Sequence, residues 1–300
     1  MTKPLLPLPL LLLACNDGSK ASPVSVDDSC RTFSFGDDSA SQDQRDGLER
    51  ANCYRGAMGL DAMELGPALD LAAQHHAEYM DTNGVITHEE DRDAEGYTGQ
   101  WPWDRAESAG YDWKTGAISE VVSYGYGPDG AVDGWMNSVY HRIPFTSPEV
   151  IETGFGQEKR YSSMTFVTPY PYAEDSAVLY PVDGQIDVPT RFNSDEEVPD
   201  PAPDDTYVGP PITVTVGATS TPGTSQNPFV LVLREATLSG PDGDVELIEL
   251  VPDDDPYLLQ AVALVPVEPL APGSDYEVEV KITWSGGQET INSTFRTAEE

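Results

Sequence analysis

The most informative segment of the chain is residues 134–142, which read Gly134-Trp135-Met136-Asn137-Ser138-Val139-Tyr140-His141-Arg142. It continues a helical pattern, since apolar residues recur at spacings of three, four and seven at Val132, Trp135, Met136 and Val139. Pro128 suits the first turn of this helix, because proline has no N–H to leave unbonded there. His141 then falls at or just beyond the helix end, where its side chain is able to turn into a cleft.

Composition limits the classes of protein and partner. The 300 residues predict two domains, and the ordinary hydrophobic content is enough for a core in each. The chain carries 52 acidic and 16 basic residues, a net charge of −36. Such a surface repels nucleic acid and anionic lipid headgroups, which excludes both as favoured partners. No run of about 18 apolar residues occurs, so the sequence predicts no conventional membrane-spanning helix.

Residues 1–15 are predicted to be a lipoprotein signal peptide with its lipobox. Lys3 supplies the positive charge at the N-terminus of the signal peptide. Leu5 to Leu13 form an apolar stretch that ends just before Ala14 and Cys15. A cysteine directly after a small residue at this place resembles the acylated cysteine of bacterial lipoproteins. The alternatives are an ordinary secretory signal or a chance cysteine. The lipoprotein interpretation predicts an exported protein anchored in the membrane of the cell envelope through lipid on Cys15.

Residues 16–44 read as a flexible acidic linker, because they are rich in Ser, Asp and Gly and nearly lack large aliphatic residues. With Cys15 lipidated, Cys30 and Cys53 remain as an even pair in an oxidising compartment. We expect a disulfide between them that fixes the linker to the first helix. The alternative is two free thiols, with Cys53 simply a small buried residue.

Residues 45–169 form the first predicted domain, of the α+β class. An apolar helical stripe predicts a first helix that ends at Gly59. A second helix is predicted from Pro67 to Asn83-Gly84. A short helix over 103–109 and the helix that contains Val132 follow. Residues 150–157 and 164–167 are predicted strands, joined by a polar turn at 158–160.

Residues 176–300 form the second predicted domain, an all-β sandwich. Helical periodicity disappears after Tyr170, and short strand-like runs alternate with turns at 178–180, 212–216, 229–233, 245–250, 258–265, 276–283 and 293–296. The loop 270–275 before Tyr276 is similar to one that leads into a tyrosine-corner strand. Asp253-Asp254-Asp255 lacks the spaced ligands and the glycine of a calcium loop, so we interpret it as a solvated turn.

An ordered set of motifs in the first domain resembles the CAP superfamily of cysteine-rich secretory, antigen 5 and pathogenesis-related proteins, in its short bacterial form. The set covers roughly 120 residues and is more specific than any one motif. Its members are Asn52-Cys53-Tyr54-Arg55, the helix 69–80, Thr87-His88, Trp103-Asp104-Arg105-Ala106, Gly110-Tyr111, Ser119-Glu120-Val121, residues 132–138 with His141-Arg142, and Gly154-Phe155-Gly156. Residues 180–189 likewise resemble bacterial Ig-like modules.

This resemblance implies an α-β-α sandwich with a cavity that holds two histidines and two acidic residues. His88, Glu120 and His141 match three of these positions, whereas Ser138 stands where the second carboxylate commonly lies. Two neutral imidazoles are able to hold Zn²⁺, and Glu120 is then a third ligand or orients a bound water. The alternative is a hydrogen-bonded His–Glu–His cluster that braces the cleft.

No separate general base or nucleophile is evident, so the sequence favours a structural cluster or a weakly bound divalent metal over catalysis. We interpret His76 as a packed histidine on the core stripe and His75 as peripheral. Glu89 and Asp91 are interpreted as solvated loop charges.

The predicted function is a cell-envelope lipoprotein whose CAP domain acts as a non-enzymatic binding module. Its predicted partner is a small apolar ligand, a wall component or a protein. The alternatives are a metal-dependent hydrolase that uses the cleft of His88 and His141, or a structural spacer or adhesin. Fold-level analogy does not name the ligand.

Overall fold

The computed structural model describes residues 22–30, 35, 38–112, 116–169, 176–217, 231–284 and 287–299. The predicted signal peptide with Cys15, residues 16–21, 31–34 and 36–37 of the predicted linker, and residues 229 and 230 of one predicted strand lie outside these described residues. The first domain contains helices and strands in mixed order, which confirms the predicted α+β class. Its elements are α1 (Gln42–Ala57), β1 (Glu64–Leu65), α2 (Pro67–Asn83), α3 (Pro102–Ser108), β2 (Gly116–Tyr124), α4 (Pro128–Met136), α5 (Ile143–Thr146), β3 (Glu152–Glu158) and β4 (Tyr161–Pro169).

Local capping explains where the two long helices begin and end. Ser41 Oγ accepts from the Gln44 backbone N–H and the Gln44 side chain accepts from the Ser41 N–H, a capping box that starts α1 at Gln42. The last residues of the predicted linker 16–44 are therefore helical. Helix α2 begins at Pro67 and ends before Gly84, whose φ of 64° is a backbone conformation that glycine adopts without strain. No helix within the described residues is long and apolar enough to cross a membrane.

Three layers make up the first domain. The sheet has the order β1-β3-β4-β2, in which β1 and β3 are parallel and the other pairs are antiparallel. Helix α2 lies directly on β3, because a Cβ at Gly154 would be only 2.1 Å from the Leu69 carbonyl carbon. Phe155 points to the opposite face, where it joins a core with Leu48 of α1 and Trp135 of α4. The sheet is thus covered by helices on both faces.

Helix α4 is shorter than its apolar pattern indicates. It ends at Met136, so Val139 is not a continuation of the helical stripe. Val139 is fully buried, but its neighbours are Ala202, Val208 and Leu258 of the second domain. The prediction that Val139 continues the helical pattern is therefore wrong, and its burial comes from packing with the second domain.

The second domain is built from two packed sheets. One sheet has the order β11-β10-β14-β15-β6 and the other the order β12-β13-β9-β5, with a separate β7-β8 pair. Their facing side chains share one apolar core, as a sandwich requires. The strands are β5 (Ala177–Tyr180), β6 (Gln185–Val188), β7 (Phe192–Asn193), β8 (Tyr207–Val208), β9 (Ile212–Val216), β10 (Val232–Gly240), β11 (Gly243–Asp244), β12 (Leu247–Leu250), β13 (Ala261–Pro266), β14 (Asp275–Trp284) and β15 (Gly287–Thr297).

Tyr276 has the contact expected of a tyrosine corner. Its hydroxyl oxygen accepts a hydrogen bond of 2.8 Å from the backbone N–H of Ala271, five residues earlier. The ring is buried and stacks on Phe295 at 5.6 Å between centroids. The residues around this loop therefore form the corner that the sequence indicated, while the relation to Ig-like modules remains a prediction.

An extensive seam joins the two domains. Arg142 is fully buried there, stacks on the Tyr180 ring, and donates 2.6 Å hydrogen bonds to the backbone oxygens of Met136 and Pro211. The Tyr140 hydroxyl donates to Asp255 Oδ2 at 2.7 Å. Asp255 is therefore half-buried and bonded across the seam, whereas the sequence interpretation placed it in a solvated turn. The two domains pack as one body.

The segment before α1 is fixed to both domains. A disulfide joins Cys30 to Cys53 of α1. The backbone N–H of Val24 donates to the Gly184 oxygen of the second domain at 2.8 Å. This part of the predicted flexible linker is thus held in place.

Candidate functional site

The first candidate cluster is centred on Glu120 of β2. Its Oε1 lies 3.1 Å from His88 Nδ1, so the structure brings together two of the three residues predicted from the sequence. Its Oε2 accepts from Arg105 Nη2 at 2.7 Å and from Ser163 Oγ at 3.2 Å. The carboxylate is almost completely buried, while the His88 side chain is 46% exposed. Glu120 therefore anchors a histidine that reaches the surface.

Two further buried residues complete this cluster. His76 Nδ1 lies 2.9 Å from Glu90 Oε1, and His76 Nε2 donates to the Thr87 carbonyl oxygen at 2.7 Å. Glu90 Oε2 also accepts from the backbone N–H groups of Thr98 and Gly99. A buried carboxylate needs this many donors to offset its desolvation. The packed histidine is thus part of an ionic network.

The electrostatics of the cluster keep Glu120 ionised. Burial alone would raise the pKa of Glu120, but the nearby His76, Arg105 and His88 outweigh burial and lower that pKa to about 2. An ionised carboxylate only accepts hydrogen bonds. His88 Nδ1 must therefore carry the hydrogen, and in the neutral ring the lone pair lies on Nε2. The structure presents Nε2 of an oriented imidazole, as carboxylate–histidine pairs do at metal sites.

The second candidate cluster is centred on His141, just after α4. His141 Nδ1 lies 2.9 Å from Glu197 Oε1 of the second domain and 3.3 Å from Ser138 Oγ. Glu197 also accepts from the backbone N–H groups of Val139, Tyr140 and His141 at 2.7, 2.7 and 3.2 Å. The carboxylate is 1% exposed. His141 is therefore paired with a different glutamate from His88.

Glu90 and Glu197 were not predicted from the sequence as members of the site. One signal pointed to Glu90: a histidine on the core stripe of α2 needs a buried hydrogen-bond partner, and an acidic run follows His88. Nothing in the local sequence distinguishes Glu197 from the acidic residues around it, because its partners lie more than fifty positions earlier. Its role is visible only once the two domains are in contact.

The other residues that the sequence analysis weighed lie at the surface. Glu89 and Asp91 are exposed, and His75 is half-buried beside the fully buried His76. Within the described ranges, no group of three or more His, Cys, Asp or Glu side chains is arranged to hold a metal ion.

A cavity of about 550 Å³ lies beside His141 and has walls from both domains. The first domain contributes Ile86, Val122, Tyr124, Tyr126 and Trp135, and the second contributes residues 191–193 with Glu196 and Glu197. Ile86 lies two residues before His88, and Val122 two residues after Glu120. The cavity therefore lies near both candidate clusters and combines apolar side chains with a few polar ones, as small-molecule sites do.

Comparison with known proteins identifies the first domain. Residues 48–170 match the sequence model of CAP, the Cysteine-rich secretory protein family. This part of the chain is a CAP domain, and the second domain lies outside the match. No curated protein matches the chain.

Among the solved structures that match, two resemble about two fifths of the chain. One is an extracellular protein containing an SCP domain from Bacillus anthracis str. Ames, with 19% identity and a TM-score of 0.37 over 42% of this chain and 40% of that chain. The other is an outer surface protein from Borrelia burgdorferi, with 21% identity and a TM-score of 0.34 over 41% of this chain and 89% of that chain. The chain thus spans less than half of the Bacillus anthracis protein.

Proposed function

We propose that the protein is an exported cell-envelope lipoprotein whose CAP domain is a non-enzymatic binding module. The cavity between the CAP domain and the second domain carries this proposal. Ile86, Tyr124 and Tyr126 line it and remain 56%, 46% and 50% exposed, although each would gain from contact with an apolar group. The clustering of such side chains in one concave site favours a small, partly apolar ligand.

The charge of the chain supports the same class of ligand. A net charge of −36 opposes the approach of anionic ligands and nucleic acid. An uncharged ligand is free of this repulsion. The proposal is thus a site for uncharged, partly apolar molecules, whether free or part of a wall component or a protein.

Binding of the uncharged fluorescent dye N-phenyl-1-naphthylamine to the full chain tests this function. We expect saturable fluorescence enhancement, with an affinity about tenfold lower in Ile86→Ser, because the loss of one buried aliphatic side chain weakens binding by that factor. Leu259→Ser is the matched control, since Leu259 is 61% exposed and does not line the cavity. Equal effects of the two substitutions, or no saturable binding, would contradict the proposal.

The proposed anchor is tested separately. Cys15→Ala removes the acylated residue, so we expect the protein to move from the detergent-extracted membrane fraction to the soluble exported fraction. A wild-type protein that is already soluble after export would reject lipid anchoring. This result would leave the binding function of the CAP domain unaffected.

A second candidate function is supported by the His88 side chain, which is 46% exposed. His88 Nδ1–H donates to Glu120, which leaves His88 Nε2 available to a divalent metal. A hydrolase would use such a metal to activate water. In this hypothesis His88 and His141 are both ligands. Metal ligands must be deprotonated, so the affinity for the metal is expected to weaken on acidification.

Calorimetric titration with Zn²⁺ tests the hydrolase hypothesis. His88→Ala and His141→Ala are each expected to abolish the binding heat, while His75→Ala serves as the control and retains it. If the wild type gives no more binding heat than the double variant that carries both His88→Ala and His141→Ala, both histidines have a structural role only. In that case the non-enzymatic function remains.

A further inference from the structure

Two residues that line the cavity each carry a buried side-chain atom with unused hydrogen-bonding capacity. Ser123 Oγ, from β2 of the CAP domain, and Asn193 Oδ1, from β7 of the second domain, are buried and have no hydrogen-bond partner among the described residues. A buried polar atom without a partner is costly and rare in folded proteins. A ligand that supplies partners to both atoms would recover this cost.

The chemistry of the two atoms selects the kind of group that binds them. The Asn193 amide nitrogen already donates to Glu196 Oε1 at 2.8 Å, so Asn193 offers an acceptor oxygen. Ser123 Oγ both donates and accepts. A hydroxyl group satisfies either atom, because it also donates and accepts. Since the two residues belong to different domains, the matching ligand carries more than one hydroxyl.

The charged groups of the cavity balance one another. Arg191 and His141 are its basic side chains, and Glu196 and Glu197 its acidic ones. Glu197 is saturated by His141 and three backbone N–H groups. Arg191 and Glu196 form no ion pair among the described contacts: Arg191 lies over the Tyr207 ring, and Glu196 accepts from the Asn193 amide. The walls thus keep one charge of each sign, and the acidic surface disfavours an anion. The ligand that fits is uncharged.

The apolar side chains complete the description. Tyr126 is half-exposed next to Ser123, and so is Tyr124, whose ring packs against Tyr161 and Arg160. A molecule with hydroxyls on its rim and an apolar C–H face would contact both kinds of group. We infer that this interdomain cavity binds an uncharged saccharide, with hydroxyls bonded to Ser123 on one wall and Asn193 on the other. The inference rests on the proposed function and names the chemical class of its ligand.

An array of uncharged, acidic and amino-sugar glycans, probed with the full chain carrying Cys15→Ala, tests the inference. We expect binding to uncharged glycans. For the strongest of these, the affinity measured by calorimetry is expected to fall about tenfold in Ser123→Ala and again in Asn193→Ala, because each substitution removes one hydrogen bond to the ligand. Asn292→Ala, at an exposed position of β15, is the matched control and retains full affinity.

Dye binding separates the possible outcomes. Variants that still bind N-phenyl-1-naphthylamine retain a folded cavity, so a loss of glycan affinity then reports the missing polar atom. Dye binding without glycan binding overturns the saccharide inference and leaves the proposed function intact, with ordered water as the partner of both atoms. Binding of only acidic glycans or only amino sugars, or equal affinity in all variants, also overturns it. Failure of both dye and glycan overturns the proposed function as well.

Discussion

Two of the histidine–glutamate pairs among the described residues involve a histidine that reaches the surface, and these two differ in the origin of the glutamate. His88 is paired with Glu120 at 3.1 Å, and both belong to the CAP domain. His141 is paired at 2.9 Å with Glu197, which belongs to the second domain. Both carboxylates are 1% exposed, but the histidines are 46% and 20% exposed. The same kind of contact thus orients a surface side chain in one case and joins two domains in the other.

The supporting residues explain the difference. Glu120 accepts from Arg105 Nη2 at 2.7 Å and lies 3.6 Å from His76 Nε2, and both partners belong to its own domain. Glu197 is satisfied mainly by backbone N–H groups of the turn after α4. The first pair is therefore a property of the CAP fold. The second pair exists only where the acidic loop of the second domain reaches the CAP domain.

The largest expected effect comes from Glu197→Ala. Three backbone N–H groups and His141 would lose their shared acceptor in a buried place, so we expect the free energy of unfolding to fall by about 4 kcal/mol. Urea denaturation of the full chain measures this. Asp195→Ala, an exposed neighbour in the same acidic turn, is expected to change the free energy by less than about 0.5 kcal/mol. Similar values for the two variants would show that Glu197 does not hold the seam.

A smaller effect, with a distinct pH dependence, is expected for Glu120→Gln. The pKa of Glu120 lies at about 2 in the folded protein, below its ordinary value of 4.5. Its ionised form therefore stabilises the fold above about pH 4.5, and this contribution disappears as the pH falls towards 2. The free energy of unfolding of the wild type should exceed that of Glu120→Gln by about 3 kcal/mol at pH 7, and this difference should shrink as the pH is lowered.

Denaturation at a series of pH values between 7 and 2 checks this dependence. Glu89→Gln is the control, because Glu89 is exposed in the segment beside His88. If Glu120→Gln lowers the free energy of unfolding by the same amount from pH 7 to pH 2, the charge of Glu120 contributes nothing to stability and only the shape of its side chain matters.

The smallest effects are expected from the histidines themselves. His141→Ala should lower the free energy of unfolding by about 1–2 kcal/mol, because it removes a mostly buried partner of Glu197. His88→Ala should cost less than about 1 kcal/mol, since solvent screens a contact whose histidine is nearly half exposed. The same denaturation assay ranks the two, and the reverse order would contradict the comparison between the pairs.

Much of the CAP domain was predictable from the sequence. Pro67 and Gly84 delimit α2, and the spacing of Val132, Trp135 and Met136 places one face of α4 in the core. These features act over a few residues, so a single sequence records them. Strand β2 was not predicted, although Glu120 lies on it. A strand is recognised in a sequence by the alternation of apolar and polar residues. Glu120 breaks this alternation in β2, because it is a charged residue whose side chain is buried.

The sequence by itself determined the main helices of the CAP domain and pointed to His88, Glu120 and His141 as candidate residues, of which the structure brings His88 and Glu120 into one cluster and places His141 in another. Only the tertiary structure decided which glutamate each histidine contacts. Glu197 is one of several acidic residues in its loop, and its role depends on donors that lie more than fifty residues away. Long-range contacts of this kind arise when two folded domains pack against each other. No local pattern of residues encodes such packing.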